Sequence, residues 1–241
     1  MQSPKIRIAS YNIRKARGLD QQRRPERILH VINDLCADIV VLQEADMRMG
    51  RRKPALPRAL IETHTDFDLV EISANGISIG WHGNAVLVRK GLHVRDRQRL
   101  DLPGLEPRGA VRLTLDIGAG DNGARTGLTV LAAHLGLRRR DRRAQLASLI
   151  ETATADPHTV IAGDFNEWSS CSGLEPLTPH FEIHSPGLSF HARRPVAALD
   201  RFALSRGLEL RDGGVEQGPL ARRASDHLPI WSDIAIGATT C

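Results

Sequence analysis

The amino-acid sequence predicts an α/β fold built on mixed β-sheets, with few helices outside them. Segments with strand-like patterns clearly outnumber the two with helical periodicity, and many are joined by short glycine-containing loops typical of hairpins. A regularly alternating β-α-β chain would instead place a helix between successive strands. The 241 residues contain no linker, low-complexity segment or convincing internal repeat, so we expect one domain over residues 1–241.

The N-terminal part of the chain is predicted to form two strands separated by a helix. Residues 5–12 (KIRIASYN) alternate apolar and other residues, as a strand with one buried face does. Pro25 is suited to the first turn of a helix, and Ile28 and Ile32 follow at helical spacing. Residues 38–44 (DIVVLQE) then have the continuous apolar pattern of a buried strand, which closes on a carboxylate.

The rest of the chain is predicted to be mostly strand. Leu146 and Leu149 lie at helical spacing and predict a helix over residues 141–155. The segment TVIAGDF, which begins at Thr159, has the β-branched composition of a strand covered on both faces. The other predicted strands are residues 83–90, 109–117, 127–135 and a last strand within 227–236.

Polar side chains recur at or just beyond the ends of the predicted strands. Asp164 and Asn166 stand two residues apart in TVIAGDFNEW, a spacing that directs side chains to one face of a strand. A turn explains either residue alone, and a lone histidine is commonly a hydrogen-bonded core residue. It is the whole set that indicates a functional site: Asn12, Glu44, His134, Asp164, Asn166, Asp200, Asp226 and His227.

These motifs resemble the endonuclease/exonuclease/phosphatase family of metal-dependent phosphodiesterases. The resemblance extends from Asn12 to His227 and is strongest in LQE, GDFN and SDHLP. The motifs HGNAVL, HLGLR, AGDFNEW and LDR are similar to those of short bacterial members. The resemblance implies a four-layer α/β sandwich, in which two mixed β-sheets pack face to face with helices outside. It also implies one active site at an edge of the sandwich.

The resemblance implies a divalent cation that assists hydrolysis of a phosphodiester. The substrate is anionic, so a cation is needed to polarise the phosphoryl oxygen and to stabilise the leaving group. Glu44 is the first candidate ligand, with Asn12 and Asp226 as direct or indirect partners. Oxygen donors without cysteine favour Mg²⁺ or Mn²⁺ over Zn²⁺.

The same resemblance assigns roles to the other polar residues. Asp164 would orient and deprotonate the attacking water, while Asn166 and His134 would donate hydrogen bonds to the phosphoryl oxygens. His227 would contact the phosphate, and Asp200 would accept the other N–H of its ring, which favours the imidazolium form.

The basic residues suggest how an anionic substrate is attracted. The net charge is +5, and only four of the 33 basic residues are lysine. Genome composition alone can produce an arginine excess, but arginines also cluster beside three motifs, where they would form a positive rim. The rim would comprise Arg14, Lys15, Arg17, residues 138–143, Arg222 and Arg223. Arg108 is a further candidate for a phosphate contact.

The substrate class has three interpretations from sequence. A nuclease-type or related phosphodiesterase is the first. The resemblance to repair endonucleases would imply a tyrosine midway along the chain, but Tyr11 is the only tyrosine, which argues against an abasic-site endonuclease. Available aromatic platforms for single-stranded nucleic acid are few, with Trp81, His82, Trp168 and Phe190 as candidates. The second is a phospholipid or phosphoinositide headgroup phosphodiesterase or phosphatase, whose arginine rim would contact an anionic membrane. The third is an inactive phosphate-binding module.

The cysteines and the N-terminus indicate a cytoplasmic protein. Cys36, Cys171 and Cys241 are few, odd in number and without a CxxC pair, which argues against a disulfide framework and a thiolate zinc site. No stretch approaches the ~18 consecutive apolar residues of a membrane-spanning helix. The N-terminal residues also lack the continuous apolar core of a signal peptide.

Overall fold

Two six-stranded mixed β-sheets form the centre of the protein. The computed structural model describes residues 5–119, 125–169 and 172–236. The first sheet has the order β11-β12-β1-β2-β4-β3 and comprises β1 (Lys5–Asn12), β2 (Ile39–Gln43), β3 (Phe67–Leu69), β4 (Ala85–Arg89), β11 (Leu208–Val215) and β12 (Ile230–Ile236). The second has the order β5-β6-β7-β8-β10-β9 and comprises β5 (His93–Leu102), β6 (Arg108–Ala119), β7 (Arg125–His134), β8 (Thr159–Asp164), β9 (Phe181–His184) and β10 (Asp200–Ser205).

Each sheet contains one parallel pair of strands among antiparallel neighbours. The pair β1–β2 aligns Asn12 with Gln43, and the pair β7–β8 aligns His134 with Asp164. Strand β10 runs antiparallel to β8, so its first residue, Asp200, lies opposite Asp164. The register therefore brings the predicted polar strand ends to one edge of the sandwich, which we call the site edge.

The sheets pack face to face through a shared apolar layer. Ile8 and Val41 of the first sheet belong to the same buried cluster as Val130, Val160 and Phe202 of the second. Side chains of this size contribute roughly 1.5–3 kcal/mol each when they are fully buried. This layer holds the two sheets, and hence the two halves of the site edge, together.

Helices cover the outer face of each sheet. The outer layer of the first sheet comprises α1 (Pro25–Asp34), α2 (Arg58–His64) and the short α4 (Ala221–Ala224), and that of the second comprises α3 (Arg139–Ala153). Leu29 and Ile32 pack α1 onto the first sheet, and Leu146 and Leu149 pack α3 onto the second. The predicted four-layer α/β sandwich is therefore confirmed.

Strand β5 was not predicted from the sequence, and the start of β12 differs from the prediction. Strand β5 (HVRDRQRLDL) is exposed along most of its length, so it lacks the apolar alternation that identifies a half-buried strand. It lies at the edge of its sheet, where charged side chains discourage pairing with another chain. Strand β12 begins at Ile230, after Pro229, rather than at His227.

Two properties bear on membranes and redox chemistry. None of the helices in the described part of the chain is both long and apolar enough to cross a bilayer. Cys36 is an exposed free cysteine, whereas Cys171 and Cys241 lie outside the described residues.

Candidate active site

Asp164 is the centre of a buried polar cluster at the site edge. Asn12 Nδ2 donates a hydrogen bond to Asp164 Oδ2 over 3.0 Å. The Nε2 atoms of His134 and His227 lie 3.4 and 3.7 Å from the same oxygen. These side chains come from both sheets and are buried, as is that of Asp200. The structure therefore assembles one carboxylate among three nitrogen-bearing side chains.

The chain turns sharply immediately after Asp164. Strand β8 ends at Asp164, and Asn166 has a left-handed backbone with φ of 50°. The expectation that Asp164 and Asn166 project from one strand was therefore wrong. The backbone N–H of Asn166 donates to Asp164 Oδ1 over 2.9 Å, and its Nδ2 donates to the carbonyl of Leu135 over 2.9 Å. Asn166 thus joins the ends of β7 and β8, and its amide retains a second N–H.

Gly163 is required by the packing of two strands. Its φ is +151°, and a Cβ atom there would lie 1.8 Å from the carbonyl oxygen of Ala133 on β7. Any other residue would force β7 and β8 apart beside Asp164.

Asp200 contacts the ring nitrogen of His227 that faces away from Asp164. Asp200 Oδ2 lies 2.8 Å from His227 Nδ1 and accepts a hydrogen bond of 2.5 Å from Ser189 Oγ. Burial lowers the pKa of His227, but the negative charges of Asp200 and Asp164 oppose burial and raise this pKa to about 10. His227 is therefore an imidazolium at neutral pH, with a proton on each nitrogen.

His134 has the opposite protonation state. Its burial lowers its pKa to about 3, which the charge of Asp164 only partly offsets and the nearby Arg108 reinforces. His134 is therefore neutral across the physiological range and can donate one ring N–H. Two histidines beside one carboxylate thus differ in charge at neutral pH, His227 being a cation and His134 a neutral ring.

Glu44 and Asp226 each carry a cationic partner at the rim of the cluster. Lys15 Nζ forms an ion pair with the Glu44 carboxylate, and Arg14 Nε lies 3.2 Å from Asp226 Oδ2. Arg14, Lys15 and Ala16 all have positive φ, of 45°, 55° and 58°. Three successive non-glycine residues in this region cost energy, and such strain is concentrated at functional sites.

The oxygen donors at the rim fit a divalent cation. The side chains of Glu44 and Asp226 are 28% and 22% exposed, so an ion can reach them from solvent. Asn12 Oδ1 accepts one hydrogen bond, from the backbone N–H of Arg14, and can still offer a second lone pair. Carboxylate and amide oxygens are the donors that Mg²⁺ prefers.

A second group of potential ligands lies deeper. One ligand atom from each of Asp164, Asp200 and His227 falls within 4.8 Å of the others, a spacing that could hold an ion. The imidazolium form of His227 has no free lone pair, however, so this group fits a hydrogen-bonded acid–base pair better.

Arg108 lies in a basic cleft beside Glu44. The cleft is lined by cationic and histidine side chains that include Lys15, Arg48, Arg52, Arg108, His82 and His134. Arg108 Nη2 and Arg48 Nη2 both contact Glu106, at 3.1 and 3.0 Å, while Arg108 Nε is buried without a hydrogen-bond partner among the described residues. Arg48 and Arg52 were not predicted, because a charge run such as MRMGRRK is usually only a solvated surface. His82 was predicted only as an aromatic platform, not as part of a basic cleft.

Arg142 does not belong to the predicted positive rim. It is buried, and its Nη2 lies 2.7 Å from Glu167 Oε2 while its Nη1 donates to the carbonyl of Leu137 over 2.7 Å. The ion pair ties α3 to the loop after β8, and the hydrogen bond to Leu137 ties α3 to the loop after β7. Its neighbours Arg138, Arg139 and Arg140 are exposed, as predicted for the rim.

Comparison with known proteins gives one family and a set of relatives. A sequence model of the Endonuclease/Exonuclease/phosphatase family matches residues 9–227. The Escherichia coli K12 protein YbhP, itself uncharacterised, is 30% identical over 172 residues. That alignment covers 64% of this chain and 63% of YbhP, so it spans less than two thirds of the relative's length.

Solved structures share the fold at low sequence identity. A functionally unknown conserved protein from Enterococcus faecalis V583 superposes with a TM-score of 0.78 at 19% identity, covering 96% of this chain and 100% of that one. D. rerio TDP2, solved with a single-stranded DNA product, gives 0.71 at 17% identity, with coverages of 95% and 98%. These likenesses concern the fold.

Proposed function

The chain belongs to the endonuclease/exonuclease/phosphatase family of phosphoester hydrolases, and on this premise we propose that it hydrolyses a phosphodiester with Mg²⁺ at the Asp164 cluster. Family members generally depend on a divalent metal. The observation that carries the proposal is the placement of Asn12, His134 and His227 around one buried carboxylate. An inactive phosphate-binding module would not need this arrangement of a base beside a neutral and a cationic donor.

Asp164 is the proposed general base. Asn12 and Asn166 fix its carboxylate, which leaves lone pairs to accept a proton from water. The water oxygen forms a bond to phosphorus in line with the ester bond that breaks. The leaving oxygen departs with the bonding electrons and takes a proton from solvent.

Charge on the phosphoryl oxygens is stabilised from several sides. The imidazolium of His227, the neutral ring of His134 and the free N–H of Asn166 can donate to oxygens whose charge increases in the transition state. Glu44, with Asn12 and Asp226, is the proposed metal site, and Arg108 is a further phosphate contact. A bound Mg²⁺ supplies polarisation of a phosphoryl oxygen and stabilises the leaving oxygen.

The proposal is tested with a panel of phosphoesters. Supercoiled plasmid, single-stranded DNA and RNA, phosphoinositides, phospholipid diesters and bis(p-nitrophenyl) phosphate are each incubated with Mg²⁺, Mn²⁺ or EDTA. We expect metal-dependent hydrolysis of at least one diester. Binding of these compounds without turnover of any would instead support the inactive phosphate-binding module.

The Asp200→Asn substitution is expected to shift the alkaline limb of the pH–rate profile to lower pH. The carboxylate charge raises the pKa of His227, and its loss lets burial lower that pKa again. The imidazolium then loses its proton at a lower pH than the wild-type value of about 10. The profile of kcat is measured on the best substrate. Ser189→Ala is the control: it keeps the Asp200 charge and should shift the limb less. If His227 is essential and the alkaline limb of Asp200→Asn is unshifted, the proposed pairing of Asp200 with His227 is contradicted.

The Lys15→Met substitution is expected to tighten metal binding. Lys15 pairs with the Glu44 carboxylate, so its ammonium competes with and repels a second cation there. Removing that charge should lower the Mn²⁺ dissociation constant roughly tenfold at low salt. Electron paramagnetic resonance of free Mn²⁺ measures the effect without turnover. Lys53→Met, at an exposed lysine, is the matched control, and equal Mn²⁺ affinity in both variants contradicts Glu44 as the ligand.

A further inference from the structure

Exposed apolar side chains are concentrated on one face of the molecule. Of the eight large apolar side chains that are exposed in the described ranges, six lie on loops that leave strand ends at the site edge. We call these six the apolar ring: Met49, Leu105, Leu137, Trp168, Leu188 and Val196. Of the other two, Leu210 lies within β11 and Leu220 precedes α4, beside α1. Scattered single exposed apolar residues are normal, but a cluster on one face indicates an interaction surface.

The strand order places the ring around the candidate active site. Met49 follows β2, Leu105 joins β5 to β6, Leu137 follows β7, and Trp168 follows β8. The same strand ends carry Glu44, Arg108, His134 and Asp164. Met49, Leu105 and Leu137 are 86%, 71% and 64% exposed, so they are among the most exposed apolar side chains described. The active site therefore opens in the middle of a face whose loop tips are apolar.

Arginines flank the apolar loop tips. Arg48 and Arg51 lie beside Met49, Arg138, Arg139 and Arg140 follow Leu137 directly, and Arg193 and Arg194 precede Val196. These arginines are exposed. Apolar tips interspersed with arginine are the combination by which a peripheral protein binds an anionic membrane: the apolar groups enter the acyl boundary and the cations meet the lipid headgroups.

Trp168 connects this face to the catalytic cluster. Its ring packs edge-on against Phe190 at 5.7 Å between centroids, and Phe190 lies 4.9 Å from the ring of His227. Trp168, Leu188 and Val196 also line a groove of about 810 Å³ on the same side. An exposed indole on this face suits the interfacial layer of a bilayer, where tryptophan is enriched in membrane proteins.

We propose that the site edge docks on an anionic phospholipid bilayer and presents the active site to lipid headgroups. The docking part rests on exposure and charge alone, whereas the presentation of a lipid phosphodiester rests on the proposed function. Single-stranded nucleic acid would use aromatic platforms, and within the ring Trp168 is the one aromatic side chain. The aliphatic members cannot supply the base stacking that single-stranded nucleic acid requires.

Vesicle co-sedimentation in EDTA tests the docking without turnover. Vesicles of phosphatidylcholine alone are compared with vesicles in which about a third of the lipid is phosphatidylserine, at low and high salt. We expect partition into the anionic vesicles that weakens as salt rises. The variant Met49→Ser/Leu105→Ser/Leu137→Ser should lose about tenfold in partition coefficient. Because these side chains are exposed, its melting temperature should match that of the wild type, and Leu210→Ser is the control outside the ring.

A second variant tests the charges. Arg138→Ser/Arg140→Ser should lose about fivefold per arginine on anionic vesicles and little on neutral ones. Equal partition of wild type and both variants would overturn the proposal. The proposal would also be overturned if the wild type did not partition onto vesicles but bound single-stranded DNA in a salt-dependent manner.

The two proposals fail separately. Hydrolysis of soluble bis(p-nitrophenyl) phosphate without vesicle binding overturns the docking surface and leaves the proposed function standing. Vesicle binding without hydrolysis of any phosphoester overturns the proposed function and leaves the docking surface standing.

Discussion

Asp164→Asn is expected to lower kcat by about 10²–10⁴-fold with KM nearly unchanged. Asparagine keeps the shape of the side chain, and its one carbonyl oxygen can still accept either the hydrogen bond from Asn12 Nδ2 or that from the Asn166 N–H. It cannot take a proton from water. The loss therefore appears in the chemical step, and steady-state kinetics on bis(p-nitrophenyl) phosphate with saturating Mg²⁺ measure it.

Asp156→Asn is the matched control for this substitution. Asp156 pairs with Arg112 and Thr129 at the opposite edge of the sheets, so its loss should leave kcat unchanged. Combining Asp164→Asn with Asp200→Asn should cost less than the two separate losses multiplied together, because both residues act on one transition state. A fully active Asp164→Asn enzyme rules out Asp164 as the base.

Glu44→Ala is expected to weaken metal binding by about 10–100-fold or more. Altering a residue that only orients a metal ligand already costs about that much, and a direct ligand should cost at least as much. The side chain is 28% exposed and its main partner is Lys15, so the fold should persist. Mn²⁺ titration measures affinity, and turnover at limiting metal should fall in parallel.

Glu71→Ala is the control for the metal experiment. Glu71 is an exposed glutamate paired with Arg58 and lies outside the cluster. It should bind Mn²⁺ as the wild type does. Unchanged Mn²⁺ affinity and unchanged turnover at limiting metal in Glu44→Ala would remove Glu44 from the site.

The strand ends that carry the cluster could be predicted because their signals are local. A continuous apolar run marks β2 and β8, and the polar residue that ends each run is visible in the sequence. Asn12, His134, Asp164 and Asp200 could therefore be named in advance, and the register then places them at one edge.

Contacts made by irregular segments could not be predicted. Ser189 and Phe190 reach Asp200 and His227 from the loop between β9 and β10, which has no apolar periodicity to locate it. The ion pair of Lys15 with Glu44 depends on a left-handed turn of non-glycine residues, and no residue preference indicates such a turn.

The sequence also could not predict which individual arginines are buried. Residues 138–143 (RRRDRR) look alike in sequence, yet α3 turns Arg142 inward against Glu167 while Arg138 and Arg140 stay exposed. A helix directs neighbouring residues to different faces. Which face of α3 contacts the Glu167 carboxylate depends on the position of the loop after β8, which the sequence does not reveal.

Metal dependence of diester hydrolysis tests the central claim most directly. Wild-type protein freed of metal with EDTA is titrated with Mg²⁺ while release of p-nitrophenol from bis(p-nitrophenyl) phosphate is followed, with Glu44→Ala and Asp164→Asn in parallel. We predict no release in EDTA, full recovery with Mg²⁺ in the wild type, recovery only at higher Mg²⁺ in Glu44→Ala, and little recovery in Asp164→Asn. Equal rates in EDTA and Mg²⁺, or equal rates in all three proteins, would contradict metal-dependent hydrolysis at this site.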